Sequence, residues 1–113
     1  MKYENGYRVY SKLIRDKIPE LMEKNGEESE YYIFPEDADY ENEVILKLQE
    51  ETGEYLYSKN KEELADMLEV LMELARIRDI PFSEVEEIRK KKLETKGGFT
   101  KRLFLVRVRE KNK

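Results

Sequence analysis

The chain has 113 residues, of which 42% are charged, and its formal net charge is -4. It contains neither cysteine nor histidine, which excludes a disulfide framework, a thiolate zinc site and the usual imidazole general base. Any chemistry therefore rests on carboxylates, amines, guanidinium groups, phenols or a metal ion, and the acidic balance disfavours stable binding to nucleic acid.

A chain of this length fits one domain, and no repeat, low-complexity tract or linker marks a boundary within residues 1–113. No apolar run is long enough to cross a bilayer, and the first residues, MKYENGYRVY, lack the continuous apolar segment of a signal peptide. We therefore expect a cytoplasmic protein with no membrane association.

The first predicted helix is short. Asp16 is positioned to cap it, Pro19 falls in its opening turn, residues Glu20–Lys24 continue it, and Gly26 stands where a C-terminal cap is expected. The segment Tyr31–Pro35 is too short and too aromatic for a helix, so we predict that it is extended.

Two longer helices follow, from about Asp39 to Tyr57 and from about Lys61 to Arg78. The polar turn 58–60 that joins them is short enough to make them antiparallel neighbours. Gly53 is unfavourable inside a helix, and a close backbone approach would explain it.

A fourth helix is predicted to begin at Ser83, where Ser-Glu-Val-Glu forms a capping box, and to end before Gly97. The tail RLFLVRV (102–108) alternates as a strand does and is a candidate partner for residues 31–34. The predicted fold is all-α, an antiparallel bundle of about four helices with an optional two-stranded extension. The third helix is apolar over about two-thirds of its circumference, so we expect a homodimer or homotetramer to complete the bundle.

Acidic residues fall on the inward faces of the two long helices. Glu51 lies inside the edge of the apolar stripe on the second helix, with Glu54 one step further round. Glu63 falls within the apolar arc of the third helix, and Asp66 lies at its border. Glu51 precedes Glu63 by twelve residues, as Glu54 precedes Asp66, so antiparallel packing would bring the two pairs face to face.

Four carboxylates at the edge of a core would repel one another and be costly to desolvate unless a cation lay between them. Oxygen ligands without histidine or cysteine suit Mg²⁺ or Mn²⁺, so we predict that these four acids bind one of these ions. The structural alternative is that Asn60 and Glu63 form a capping pair and that the other acids are solvated.

Basic residues form two clusters outside the acidic helix pair, one around the first predicted helix and one around Gly97 and Gly98. A phosphate chain held by Mg²⁺ on one side needs cations on the other, so both clusters are candidates for phosphate and substrate binding. The alternative is that the lysines only complement the dipole of a helix C-terminus. The candidates are Lys12, Arg15, Lys17, Lys92, Lys96, Lys101 and Arg102.

The acidic motifs carry a family resemblance. EExxE (50–54) followed by ExxD (63–66) resembles the metal-binding signature of the MazG-like all-α nucleoside triphosphate pyrophosphohydrolases. The segments KLIRDKIPELMEKNG, EELADMLEVL and IRKKKLETKGGFTKRLFL look like one branch of that superfamily, the predicted house-cleaning pyrophosphatases or phosphoribosyl-ATP pyrophosphohydrolase-like proteins. The likeness runs from about residue 12 to residue 105, so residues 1–113 would form a single MazG-like domain.

The resemblance implies a Mg²⁺-dependent enzyme, with Mn²⁺ as a substitute, that cleaves the α–β phosphate bond of a non-standard nucleoside triphosphate to a monophosphate and pyrophosphate. By motif position Glu51, Glu54, Glu63 and Asp66 hold the metal, and Glu50 and Glu51 are the catalytic candidates, although the helical wheel turns Glu50 away from the other acids. Two alternatives stay open: a phosphoribosyl-ATP pyrophosphohydrolase of histidine biosynthesis, and a non-enzymatic helical dimerisation or metal-binding module.

Overall fold

A computed structural model describes residues 2–111, with side chains described from residue 5 onwards. Four helices dominate these residues, which confirms the prediction of an all-α fold: α1 (Ile18–Lys24), α2 (Asp37–Ser58), α3 (Lys61–Ile77) and α4 (Phe82–Lys96). A short hairpin of β1 (Lys2–Glu4) and β2 (Tyr7–Val9) precedes them.

Packing divides the chain into two compact units, the first ending at Ile80 and the second beginning at Pro81. The first unit contains the β-hairpin and α1 to α3, and the second contains α4 and the tail after it. The single domain expected over residues 1–113 stays a prediction. Among the residues that the structure describes, no helix has the length and apolar character needed to span a membrane.

The helices α2 and α3 pack against each other as an antiparallel hairpin, joined by only Lys59 and Asn60. Lys59 has a left-handed backbone (φ 58°, ψ 22°), and its N–H donates to the carbonyl of Tyr55 at 2.8 Å, which ends α2. The side-chain oxygen of Asn60 then accepts the N–H of Glu63 at 3.1 Å and caps α3. Asn60 therefore caps α3, which is one half of the capping pair that the structural alternative expected, and the chain reverses direction within two residues.

Charged and phenolic side chains close the open end of this hairpin. The Tyr40 hydroxyl, on the first turns of α2, donates to Glu73 on α3, and Glu73 also accepts two hydrogen bonds from Arg76. Arg78, just after α3, donates two hydrogen bonds to Glu41 at 2.7 and 2.8 Å. These contacts join the start of α2 to the end of α3 and fix the register in which the two helices meet.

The helical hairpin buries little apolar surface. Val44 and Ala75, 1% and 8% exposed, are the buried hydrophobic residues of the part of the chain that the structure describes. The wide apolar face expected on α3 is present, but large side chains on it remain 40% exposed or more. These side chains are Leu64, Leu68, Leu71 and Met72.

The two strands of the structure are not the ones that the sequence analysis predicted. Neither residues 31–34 nor residues 102–108 form a strand. The strands instead lie at the N-terminus, antiparallel, with Tyr3 opposite Arg8. Asn5 and Gly6 between them both have positive φ, 50° and 86°, which a two-residue type I′ turn requires. Asn-Gly between two short runs was the stronger hairpin signal, and sequence reasoning missed it.

The predicted N-caps of the first and fourth helices are also wrong. No side chain caps α1, which begins at Ile18 rather than directly after Asp16. In α4 the N-cap is Pro81, so Ser83 lies inside the helix and no capping box forms. Pro19 lies in the first turn of α1, where its fixed φ and missing N–H suit the helix start, and α4 begins directly after Pro81, which is its N-cap.

Candidate metal centre

Three carboxylates converge where the end of α2 runs alongside the start of α3. Glu51 comes from α2, Glu63 and Asp66 come from α3, and one carboxylate oxygen of each lies within 4.8 Å of the others. The tight reversal at residues 59–60 sets the two helices side by side, and residues three apart on α3 share a face. The structure thus brings together three of the four acids that the sequence singled out as metal ligands.

Glu51 is the innermost acid of this group. It is only 9% exposed, whereas Glu63 and Asp66 are half-buried. Its carboxylate lies 3.5 Å from the amine of Lys47, which also donates to Glu50 at 3.2 Å. Sequence reasoning missed Lys47, although a lysine four residues before a glutamate on one helix is a recognisable ion-pair spacing.

The group carries an excess of negative charge. The pKa of the Glu63 carboxyl is raised above its usual range, first by partial desolvation, then by the hydrogen bond and charge of Glu51, and further by the charges of Glu54 and Asp66. A divalent cation would relieve this repulsion. Three oxygen donors at the edge of a small core fit Mg²⁺ or Mn²⁺, because these ions keep further positions for water and phosphate oxygens.

Arg15 supplies positive charge to the group from a distant part of the sequence. Its guanidinium Nη2 donates to Asp66 Oδ1 at 2.8 Å. Arg15 lies in the segment between β2 and α1 that has no regular secondary structure, so this segment reaches across to α3. The sequence placed the basic cluster around Arg15 outside the acidic helix pair. In the structure Arg15 contacts one of the acids, Asp66, directly, which corrects that expectation for Arg15.

The two other predicted acids stand apart from the group of three. Glu54, one turn beyond Glu51 on α2, is exposed, although it lies close enough to Glu63 to contribute to its raised pKa. Glu50 faces a different side of α2, as its wheel position indicates, and lines a shallow cleft together with Lys12 and Lys47. The catalytic role of Glu50 stays a prediction.

The remaining predicted phosphate ligands are divided between the two units. Lys12, in the first unit, lines the cleft beside Glu50, and its amine lies 5.3 Å from the centre of the Tyr10 ring. Lys17, also in the first unit, is exposed immediately before α1. The candidates of the second unit are all exposed, and they are Lys92, Lys96, Lys101 and Arg102.

Comparisons with family models, with curated proteins and with solved structures find no match to this chain. The chemistry of the centre therefore has to be argued from its own residues. These are three clustered carboxylates, a lysine beside Glu51 and a guanidinium group on Asp66. Such a set can bind a divalent cation and place positively charged groups next to an anionic ligand of that cation.

Proposed function

We propose that the protein is a Mg²⁺-dependent nucleotide pyrophosphohydrolase that cleaves the α–β phosphate bond of a non-standard nucleoside triphosphate. The observation that carries this proposal is the convergence of Glu51, Glu63 and Asp66 from two antiparallel helices. The order of the acidic motifs between their flanking segments, which resembles the MazG-like branch, supports the choice of substrate class. Mn²⁺ would serve in place of Mg²⁺.

Glu51, Glu63 and Asp66 would hold the cation, with Glu54 as a fourth ligand. The ion would neutralise phosphate oxygens and favour ionisation of water near the α-phosphorus. Glu50 or Glu51 would accept the proton of the attacking water. Water then attacks the α-phosphorus, the bond to the bridging oxygen breaks, and pyrophosphate departs with that electron pair.

Cationic side chains would stabilise the leaving pyrophosphate. Lys12 and Arg15 are candidates for this role, since Lys12 lines the cleft at Glu50 and Arg15 contacts Asp66. A guanidinium or ammonium group aimed at departing phosphate lowers the barrier because charge grows there in the transition state. We assign the same role to Lys17, whereas phosphate binding by Lys92, Lys96, Lys101 and Arg102, which belong to the second unit, stays a prediction from the sequence.

We further propose that the chain works in the cytoplasm as a homodimer or homotetramer, with a nucleotide as its substrate and no stable nucleic-acid partner. The exposed apolar side chains of α3 support this assembly. A helical pair whose buried hydrophobic residues are only Val44 and Ala75, among those described, falls short of the core that a domain of this size needs. A second copy of the chain can cover this surface, because it presents the same apolar face of α3.

The test is pyrophosphate release, with and without Mg²⁺, across standard and modified nucleoside triphosphates and phosphoribosyl-ATP. We expect release from one or a few of them that requires Mg²⁺ and falls at least about a hundredfold in the variant Glu51→Gln/Glu63→Gln/Asp66→Asn, as for removal of groups that act in the transition state. The matched control Glu62→Gln/Glu69→Gln/Glu84→Gln removes the same charge from exposed positions and should retain activity.

The two alternatives give different results in the same assay. Turnover confined to phosphoribosyl-ATP would assign the protein to histidine biosynthesis. No release from any substrate by folded protein would contradict the enzymatic proposal and favour the dimerisation or metal-binding module. That module also predicts that replacing Glu51, Glu54, Glu63 and Asp66 together leaves stability unchanged or raises it.

A further inference from the structure

The ion pair between Arg15 and Asp66 points to a role for Arg15 that goes beyond general phosphate binding and rests on the proposed function. We propose that Arg15 is an internal counter-ion: it occupies the acidic group while no cation is bound, and it transfers to a substrate phosphate when a cation takes its place. Binding of the metal and of the nucleotide would thereby be coupled through one side chain.

The geometry makes Arg15 a competitor of the cation. Its Nη2 donates to Asp66 Oδ1 at 2.8 Å, and a carboxylate oxygen of Asp66 is one of the three that converge with those of Glu51 and Glu63. A hydrogen-bonded guanidinium and a divalent cation on the same small carboxylate group repel each other. When a cation binds, the guanidinium must therefore move away or its hydrogen bond to Asp66 must weaken.

The exposure of the pair allows such an exchange. The side chains of Arg15 and Asp66 are 60% and 38% exposed, and an ion pair in that setting is weak because water screens it. By contrast, Lys47 beside Glu51 is only 19% exposed and is carried by the same helix, so its amine cannot move far from the acids.

The position of Arg15 in the chain fits a movement of the side chain alone. Its carbonyl accepts the N–H of Ile18 at 3.1 Å, which anchors the backbone to the start of α1. The side chain extends from a segment without helix or strand, so it can turn without displacing a helix. A planar guanidinium fits a phosphate as well as a carboxylate, which makes phosphate a suitable second partner.

The test measures the affinity for Mn²⁺ by calorimetry without nucleotide, and then the affinity for a nucleotide analogue with a methylene α–β bridge at saturating Mn²⁺. In Arg15→Gln, we expect Mn²⁺ to bind about two- to fivefold more tightly, because its competitor is gone. The same variant should bind the analogue about tenfold more weakly, because a phosphate contact is lost.

Two further variants serve as controls. Arg15→Lys keeps the charge and should lie between the wild type and Arg15→Gln in both titrations. Arg89→Gln removes a guanidinium that pairs with Glu86 on α4 and should change neither affinity. Circular dichroism and melting curves confirm that each variant is folded.

Tighter Mn²⁺ binding together with weaker binding of the analogue in Arg15→Gln would support the exchange. Weaker Mn²⁺ binding by Arg15→Gln, no change, or changes of the same sign in both titrations would overturn it while leaving a metal site in place. If folded wild-type protein binds no Mn²⁺ at all, the proposed function fails together with the inference, so the two failures are distinguishable.

Discussion

Glu73 is the residue whose ionisation most directly links the two long helices. Hydrogen bonds from Arg76 hold the pKa of its carboxyl below the usual range, against the effect of partial burial, and the Tyr40 hydroxyl acts in the same direction as Arg76. Burial, together with the hydrogen bond and charge of Glu73, raises the pKa of Tyr40 to about 12. At neutral pH the pair is therefore a carboxylate and a protonated phenol, the states that each contact requires.

Glu73→Gln should destabilise the protein in a pH-dependent manner. A carboxyl with a lowered pKa in the folded state contributes stability above its unfolded pKa, near 4.5, and this contribution is lost as the pH falls through the folded value. We expect a loss of roughly 1 kcal/mol in the free energy of unfolding at pH 7, disappearing in strong acid. Urea unfolding of both proteins at several pH values measures it.

The matched control for this prediction is Glu69→Gln, an exposed residue one turn earlier on α3. Its effect on stability should be small at every pH, because exposed charges away from such contacts contribute little. A difference between wild type and Glu73→Gln that stays constant from neutral pH to strong acid would contradict the assignment of the effect to the carboxylate.

At the scale of the elements, the α2–α3 reversal sets the geometry of the candidate metal centre. Asn60 caps α3 through the N–H of Glu63, one of the converging acids, so the cap fixes the backbone from which that carboxylate projects. Asn60→Ala should lower the free energy of unfolding by about 1 kcal/mol, whereas Asn60→Ser, which keeps an acceptor, should lose much less. Denaturant unfolding distinguishes them, and equal stability of the two variants would contradict the role of the cap.

Gly53 lies in the interior of α2, where glycine is unfavourable, and no contact within the described chain explains why a glycine stands there. Apart from its chain neighbours and the nearby backbone of α2, no described atom lies within 4 Å of the position that a Cβ would take, so the close approach expected from the sequence is not made within the described chain. Gly53→Ala should therefore stabilise the folded protein by about 0.5 to 1 kcal/mol through its better helix propensity. Thermal unfolding measures the change, and a clear loss of stability would contradict the open surroundings of Gly53.

The periodic spacing of apolar residues predicted the two long helices well. The parts of the chain that lack such a pattern were predicted poorly. The bounds of α2 and α3 follow from sustained apolar spacing and from the turn at Asn60, and i, i+3 spacing on one face placed Glu63 beside Asp66. The contact between Arg15 and Asp66 could not be predicted this way. It joins residues far apart in the chain and depends on the path of a segment with no periodic pattern.

At the scale of the whole molecule, the exposed apolar surface of α3 is the feature on which the proposed assembly rests. If a second copy covers α3, placing a charge on that face should separate the copies, since Leu68 is 49% exposed in the isolated chain. Leu68→Glu should raise the dissociation constant of the oligomer at least about thirtyfold, the size of effect found for central interface residues. Sedimentation velocity over a range of concentrations measures this.

Lys61→Glu changes an exposed position at the start of the same helix and should leave the assembly unchanged. A wild-type protein that sediments as a monomer at all concentrations would contradict the proposed assembly. An oligomer unaffected by Leu68→Glu would show that the interface lies on another face.

The central claim is that carboxylates of two helices form a cation site, and anomalous diffraction from crystals grown with Mn²⁺ tests it most directly. The account predicts one anomalous peak between Glu51, Glu63 and Asp66, within coordination distance of an oxygen from each, which disappears in Glu51→Gln/Glu63→Gln/Asp66→Asn. Well-ordered crystals grown with Mn²⁺ that show no peak at these three residues would contradict the account.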